Sequence, residues 1–184
     1  MADVIIIGDG PGGLSAALFL AKKKLDVIVI GQDKTFMHKA MLYNYLGLPG
    51  ITGSEFQKVA RAQVQAFGTQ IVDAEVKSAE KSGAGFAVTT ADGQQHQSRY
   101  LVLATGPNMP LAEGLGLVKD KSVVAADPFG RTSVDKLYAL GWGVRGKKIQ
   151  AIISAGDGAA VALDILSAEK GEELHDFDVV EEKK

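Results

Sequence analysis

A glycine-rich hexapeptide between an apolar strand and a helical repeat constrains this sequence most. Residues 8–13 read Gly-Asp-Gly-Pro-Gly-Gly and fit the pattern G-x-G-x-x-G. The β-branched run Val4–Ile7 precedes the pattern, Leu14–Ala21 follows it at helical spacing, and a second β-branched run, Val27–Ile30, comes next. Strand, helix and strand within about 30 residues predict a βαβ unit, and hence a parallel sheet.

The glycines of this pattern each meet a physical need of a nucleotide-binding turn. Gly8 permits the tight turn, Gly10 lets a pyrophosphate approach the backbone, and Gly13 lets the helix pack close to the strand. The helix N-terminus adds unpaired N–H groups and the positive end of a dipole. The βαβ context therefore favours dinucleotide binding at residues 8–13 over a glycine-rich turn without function.

An acidic residue near the end of the second strand is the expected partner of this turn. Asp33 lies 20 residues after Gly13, near where an acid usually accepts hydrogen bonds from the adenosine ribose. Gly31, however, occupies the position directly after the strand, where that acid often sits. Asp33 is therefore either the ribose acceptor or an ordinary loop aspartate, and the first interpretation is favoured.

The rest of the sequence predicts the remainder of an α/β domain. Ser54 and Gln57 have the spacing of a capping box at the start of a helix. Gly68 is a suitable C-terminal cap for the same helix. A last helix is predicted from Gln150 to about Ala168. Strand-like segments lie at residues 70–72, 75–79, 85–90, 98–100, 101–104 and 137–140. Turn signals between segments 75–79, 85–90 and 98–100 predict a small antiparallel meander.

Composition excludes several kinds of function. Twenty Lys plus Arg against 22 Asp plus Glu give a net charge of -2, which provides no attraction to nucleic acid or an anionic membrane. There is no cysteine, so thiolate metal sites and CxxC redox pairs are excluded. The three histidines have no metal-ligand spacing, and we assign neither a metal site nor a catalytic side chain. No leader peptide and no membrane-spanning run is recognised, so we expect a cytoplasmic protein.

Further motifs resemble the thioredoxin reductase family. Gly8–Gly13 with Leu14-Ser15-Ala16-Ala17 resembles its FAD-binding start, Asn44-Tyr45-Leu46-Gly47 its Asn-Tyr-Pro-Gly element, and Ala104-Thr105-Gly106 its Ala-Thr-Gly turn. Residues 131–141 and 150–156 resemble the run into its second flavin motif and the start of its last helix. The resemblance implies an α/β fold: a Rossmann-like FAD-binding domain with a central parallel sheet, flanking helices and a small antiparallel β-meander. It implies one domain over 1–184, with a core to about residue 171 and a charged tail, 172–184.

Two departures from the family pattern matter. The NADPH domain that the family inserts after the Ala-Thr-Gly turn is replaced by 24 residues, 107–130, and the redox cysteine pair is missing. The aspartate of the family's Ala-x-Gly-Asp motif is replaced by Trp142. Because the indole has only a donor, it cannot accept the bond that the aspartate accepts. Trp142 either packs in the core or against a partner, which is favoured, or covers the flavin ring.

The FAD contacts that the resemblance implies run from the pyrophosphate to the flavin ring. Those at the pyrophosphate are Gly8, Gly10, Pro11, Gly12 and Gly13. Those at the adenosine half are Gln32, Asp33, Val76, Thr105 and Gly106. Those at the flavin end are Asn44, Gln150 and Ala151, the last two through backbone N–H groups that would stabilise reduced flavin.

The resemblance thus implies an FAD-dependent oxidoreductase that is not a true thioredoxin reductase. Its electrons would come from free NAD(P)H or from a redox partner protein. The alternative is a non-catalytic FAD-binding carrier, sensor or partner subunit, and a plain NAD-binding domain is disfavoured. Without the second module a broad apolar face would be exposed, so we expect a homodimer.

Overall fold

The computed structural model describes residues 1–107, 109–121 and 123–180, which form an α/β fold. The strands are β1 (Ala2–Ile7), β2 (Val27–Gly31), β3 (Met41–Leu42), β4 (Ile51–Thr52), β5 (Gln70–Asp73), β6 (Val76–Ser82), β7 (Gly85–Thr90), β8 (Gln95–Leu103), β9 (Lys119–Asp120), β10 (Val123–Val124) and β11 (Leu137–Ala139). The helices are α1 (Pro11–Lys22), α2 (Gly53–Ala66), α3 (Trp142–Arg145) and α4 (Ala151–Lys170), with a 3-10 turn at Phe36–Lys39.

A parallel sheet lies at the centre of the molecule. Within the described residues, seven strands form one sheet in the order β5-β2-β1-β8-β7-β6, and β11 also pairs with β8. The pairs among β5, β2, β1, β8 and β11 are parallel, while β6, β7 and the first part of β8 are antiparallel. The predicted fold, a parallel sheet with a small antiparallel meander, is confirmed.

Strand β8 joins the two parts of this sheet. Its residues 95–98 pair antiparallel with β7, and its residues 98–103 pair parallel with β1. The sequence predicted two strands here, 98–100 and 101–104, which the structure merges into one. The change of character from polar to apolar along β8 follows the change from an exposed meander to a covered sheet.

The alternation of strand residues divides the core into two layers. On one face, Val4, Ile6 and Val102 pack beneath α1 and α4. On the other, Ile5, Ile7 and Leu103 pack against the meander and the segment around 109–117. Strands that are apolar on both faces belong to a sheet covered on both sides, as in parallel sheets generally.

One glycine in α4 lets this helix lie close to α1. A Cβ on Gly158 would lie 2.9 Å from the backbone nitrogen of Ala16 and would overlap the carbonyl oxygen of Gly12. Gly158 therefore permits direct backbone contact between the helices, which offsets the roughly 1 kcal/mol that a glycine costs inside a helix. The neighbouring Asp157 is mostly buried and accepts a hydrogen bond from the backbone N–H of Gly141 at 3.2 Å.

Helix α4 is more apolar than the sequence analysis allowed for. Its length and its mean hydropathy of 1.5 would be enough for a helix that crosses a membrane. It nevertheless packs along α1 and carries Asp164, which is buried and pairs with Arg131. These are the contacts of a helix in a protein core.

The start of α2 corrects one prediction. The capping box is formed by Thr52 and Glu55, two residues before the predicted pair: the Glu55 N–H donates to Thr52 Oγ1 at 3.2 Å, and the Thr52 N–H donates to Glu55 Oε2 at 3.3 Å. Gln57 instead lies fully buried beneath the glycine-rich turn, where its amide donates to the carbonyl oxygen of Asp9.

Candidate functional site

A cavity of about 510 Å³ opens at the carboxyl ends of β1, β2 and β8. Ligands of open α/β sheets bind outside these strand ends, where loops and helix N-termini converge. Most of the predicted contact residues line this cavity. They are Gly8, Gly10, Pro11, Gly12, Gly13, Gln32, Val76, Thr105, Gly106, Gln150 and Ala151.

The glycine-rich turn has the conformation that its pattern predicts. Gly8 has φ +108°, and a Cβ there would lie 2.7 Å from the carbonyl carbon of Ala104. A Cβ on Gly13 would overlap the carbonyl oxygen of Gly8. A Cβ on Gly10, by contrast, would meet only Thr35 Oγ1, at 3.7 Å. Gly8 and Gly13 are thus required by packing, whereas Gly10 borders open cavity.

Two helix N-termini without side-chain caps face the cavity. Helix α1 begins after Gly10 and α4 begins after Gln150, and neither N-cap residue makes a side-chain hydrogen bond to its helix. Neither first turn contains an acidic residue. The first N–H groups of a helix have no partner within the helix, and they carry the positive end of its dipole. The cavity is therefore suited to a ligand with negative charge at two separate places.

Asn44 is not part of the cavity wall. It is exposed, and its Nδ2 donates to Gln150 Oε1 at 3.1 Å. The contact links the loop after β3 to the residue that precedes α4. Asn44 therefore contacts Gln150 at the end of the cavity where α4 begins.

Asp33 also lies outside the wall. It has φ +53°, and its carboxylate Oδ1 is 3.0 Å from His38 Nε2. The other ring nitrogen of His38 is 2.9 Å from Ser54 Oγ. Asp33 thus belongs to a polar cluster with His38 and Ser54, although its neighbours Gln32 and Lys34 line the cavity.

Two of the described acidic residues line the cavity, the exposed Glu75 and the buried Asp9, and Asp9 lies inside the glycine-rich turn. It is only 5% exposed, and its Oδ2 accepts hydrogen bonds from Arg61 and, at 2.9 Å, from the backbone N–H of Asp33. Sequence analysis missed it because this position is unspecified in the pattern. The signals that mark it are distant in sequence: Gly31 at the end of β2, and Arg61 on α2.

Trp142 borders the cavity at the start of α3. It is half-buried, and its ring lies 5.2 Å from that of Phe36, centroid to centroid, with the planes tilted by 49°. The structure therefore does not place Trp142 in the core, since its contact with Phe36 lies at the cavity, and its packing against a partner or over the flavin ring stays a prediction. Behind it, Asp157 pairs with Arg145 at 2.6 Å and raises the pKa of that guanidinium.

Comparison with known proteins decides the family. The pyridine nucleotide-disulphide oxidoreductase family matches residues 2–50 and 47–159 of the chain. The chain belongs to this family. Its predicted likeness to thioredoxin reductases is confirmed as well, and the match covers the glycine-rich turn and most of the cavity wall.

Individual members of the family cover parts of the chain. A bifunctional thioredoxin reductase/thioredoxin of Mycobacterium leprae is 35% identical over 111 residues, 58% of this chain and 24% of that protein. A ferredoxin–NADP reductase of Lactococcus lactis is 29% identical over 129 residues, 66% of this chain and 40% of that protein. The chain thus spans well under half the length of these curated relatives.

A solved structure supports the fold over nearly the whole chain. A thioredoxin reductase from Gloeobacter violaceus superposes with a TM-score of 0.85 at 18% identity, over 98% of this chain and 99% of that chain. At this identity the likeness concerns the fold alone. It places the parallel sheet and its meander among the Rossmann-type folds of thioredoxin reductases.

Proposed function

We propose that the chain binds FAD in this cavity and acts as a thioredoxin-reductase-like oxidoreductase. The observation that carries the proposal is the pair of uncapped helix N-termini, α1 and α4, on one cavity. FAD has a pyrophosphate in its middle and a ring at one end that becomes negative on reduction. We propose a single FAD-binding domain over 1–184, with a core to about residue 171 and a tail over 172–184.

The glycine-rich turn fits the pyrophosphate. The absence of a side chain at Gly10 leaves the N–H groups of the first turn of α1 open to the cavity. The positive end of the helix favours phosphate charge at that place. The adenosine half would then lie along Gln32, Val76, Thr105 and Gly106, which line the same cavity.

The start of α4 fits the flavin end. Bound FAD would supply the redox chemistry, since a flavin exchanges electrons without a protein nucleophile. The backbone N–H groups after Gln150 would stabilise negative charge on the ring, and the bond from Asn44 holds Gln150 in place. Trp142 supplies an apolar surface where the related enzymes would supply an acceptor.

The electron donor is proposed to be free NAD(P)H or a redox partner protein. The 184 residues contain no cysteine, so these residues do not provide the dithiol of a thioredoxin reductase. The same observation favours a second candidate, a non-catalytic FAD carrier, sensor or partner subunit. We further propose a cytoplasmic location. We also propose a homodimer, and the molar mass of the protein in solution at working concentration tests that directly.

The first experiment is a visible absorption spectrum of the purified protein, with release and identification of any bound cofactor. A yellow protein that releases FAD supports the proposal, as does a colourless one that takes up added FAD. A folded protein that does neither overturns it. Anaerobic mixing with NADH or NADPH comes next, and bleaching of the flavin supports the oxidoreductase with a free nucleotide donor. If the spectrum stays oxidised, reduction by a redox partner protein is tested in the same way, and a flavin that neither kind of donor reduces supports the carrier.

A further inference from the structure

The end of β2 has no side chain, and the carboxylate of Asp9 fills the space. Gly31 is the last residue of β2, the place at which a dinucleotide-binding fold usually presents its ribose-binding acid. A Cβ built on Gly31 would lie 2.5 Å from Asp9 Oδ1 and 2.8 Å from Asp9 Cβ. The two positions therefore exclude each other: a side chain at 31 would displace the carboxylate of residue 9.

The Asp9 carboxylate is held in this place by two donors on one oxygen. Its Oδ2 accepts from Arg61 and from the backbone N–H of Asp33. The other oxygen, Oδ1, is the one beside Gly31, and both residues line the cavity. A carboxylate has about four acceptor positions on its two oxygens, so these two bonds leave capacity for a ligand.

The charge at Asp9 suits hydroxyl groups. A bare carboxylate in a pyrophosphate-binding turn would repel the ligand, but the Arg61 guanidinium compensates its charge. A paired carboxylate still accepts hydrogen bonds from neutral donors. Of the other acids near the cavity, Asp33 is engaged with His38 outside the wall. Glu75 lines the cavity, but it is exposed and lies between β5 and β6 rather than at the end of β2.

We propose that Asp9 is the acid that accepts hydrogen bonds from the ribose hydroxyls of the adenosine half of the cofactor. This inference rests on the proposed function, because it assumes that a dinucleotide occupies the cavity. In this chain the ribose acceptor has moved from the end of β2 into the glycine-rich turn, and the glycine at position 31 makes room for it.

The test compares binding of ADP and of 2′,3′-dideoxy-ADP by calorimetry, so that it needs no enzymatic activity. The wild-type protein is expected to prefer ADP by on the order of tenfold, the value of one hydrogen bond of about 1.4 kcal/mol. Asp9→Asn, which lacks the ionised acceptor, is expected to lose most of that preference. Asp33→Asn is expected to keep it, as is Asp135→Asn, an exposed aspartate that does not line the cavity.

Two outcomes would overturn the inference alone. One is an Asp9→Asn protein that binds both nucleotides more weakly but with the wild-type ratio, since that marks a merely structural role. The other is loss of the preference in Asp33→Asn. A wild-type protein that binds neither ADP nor FAD would overturn both this inference and the proposed function.

A reciprocal swap keeps the test decisive if Asp9→Asn fails to fold. Gly31→Glu alone would collide with Asp9, but Asp9→Gly with Gly31→Glu returns the acid to the end of β2 without the collision. The double variant is expected to prefer ADP over the dideoxy nucleotide. A folded Asp9→Gly single variant that keeps the wild-type preference for ADP would contradict the inference, because the acid at position 9 would then not be the acceptor.

Discussion

Phe36 and Trp142 meet at the border of the cavity, with ring centroids 5.2 Å apart and planes tilted by 49°. Phe36 belongs to the short 3-10 turn after β2, and Trp142 is the first residue of α3, after β11. The pair therefore joins two segments that are distant in sequence. Because the chain contains one tryptophan, this contact gives the cavity its own spectroscopic probe.

Trp142 emission is expected to report cavity occupancy. Titration with FAD should quench it strongly and saturably, because the absorbing flavin would lie close to the indole. The measurement is tryptophan fluorescence, corrected for absorption by FAD, with Gly10→Glu as a non-binding control. Emission that stays constant while flavin binding is seen by another method would contradict the placement of Trp142 beside the ligand.

Substitutions in the glycine-rich turn are expected to separate binding from folding. Gly10→Glu should fold but lose FAD, because its side chain would enter the cavity with bulk and negative charge. Gly13→Ala should lower the free energy of unfolding by about 2 kcal/mol, because its Cβ overlaps a backbone carbonyl. Flavin content and urea denaturation of both variants check this. A folded Gly10→Glu protein with full flavin content would refute the pyrophosphate assignment.

The Asp9–Arg61 pair is expected to show strong coupling. Arg61→Ala leaves the mostly buried Asp9 carboxylate without its cation and should cost about 3 kcal/mol of stability. In the background of Asp9→Asn the same substitution should cost much less, because no buried charge remains to be compensated. Urea denaturation of the four proteins of this double-mutant cycle provides the measurement. Equal costs in both backgrounds would show that the two side chains act independently.

Alkaline pH is expected to destabilise the fold through Tyr100. Burial, together with its hydrogen bond to Glu169, raises the pKa of Tyr100 to about 12, against 10.0 for the exposed side chain. The unfolded chain therefore loses this proton first, and the contribution is present below pH 10 and falls between pH 10 and 12. The pKa of Tyr138 is raised for the same reasons, with Asp164 as its acceptor.

The check is chemical denaturation as a function of pH. Tyr100→Phe should show a shallower loss of stability above pH 10 than the wild-type protein. Glu169 remains paired with Arg99 in this variant, so its carboxylate keeps a cationic partner. An unchanged slope would mean that Tyr100 is not the group that titrates.

The segment after α4 is expected to be fastened by Asp176. Its carboxylate is nearly buried and binds Lys22 at 2.8 Å and Lys23 at 2.6 Å, and these partners lower its pKa. The attachment is therefore present above pH 4 and weakens as the carboxylate becomes protonated below it. Asp176→Asn should raise hydrogen exchange over residues 172–180. The matched variant Asp178→Asn, which alters an exposed partner of Lys22, should have a smaller effect.

Local patterns predicted the centre of the fold well. The β-branched runs, the glycine-rich turn and the repeat of α1 are contiguous in sequence, and each predicts one element without reference to the rest. The start of α2 was mispredicted because Thr52-x-x-Glu55 and Ser54-x-x-Gln57 both fit a capping box. The buried contact of Gln57 with the glycine-rich turn engages its side chain away from the helix start, and no local pattern records that contact.

The sequence was a poorer guide to which acidic side chains line the cavity. Distance along the chain placed Asp33 at the ribose site, and that assignment remains untested, although the structure turns its carboxylate toward His38. Asp9 could not be singled out from its own surroundings in sequence. Its position depends on Arg61, which reaches the turn from a helix that begins 40 or so residues later, and no local pattern records that contact.

The position of β1 between β2 and β8 has a consequence for the synthesis of the chain. Strand β1 lies between β2 and β8, and Val4 pairs with Val27 on one edge and with Tyr100 on the other. During synthesis the second edge of β1 stays open until residue 103 has left the ribosome, with its apolar residues uncovered. Open edges of this kind are templates for pairing between chains. A ribosome that pauses before β8 would therefore hold a nascent chain whose β1 edge is open to pairing with other chains, and the completion of β8 ends that exposure.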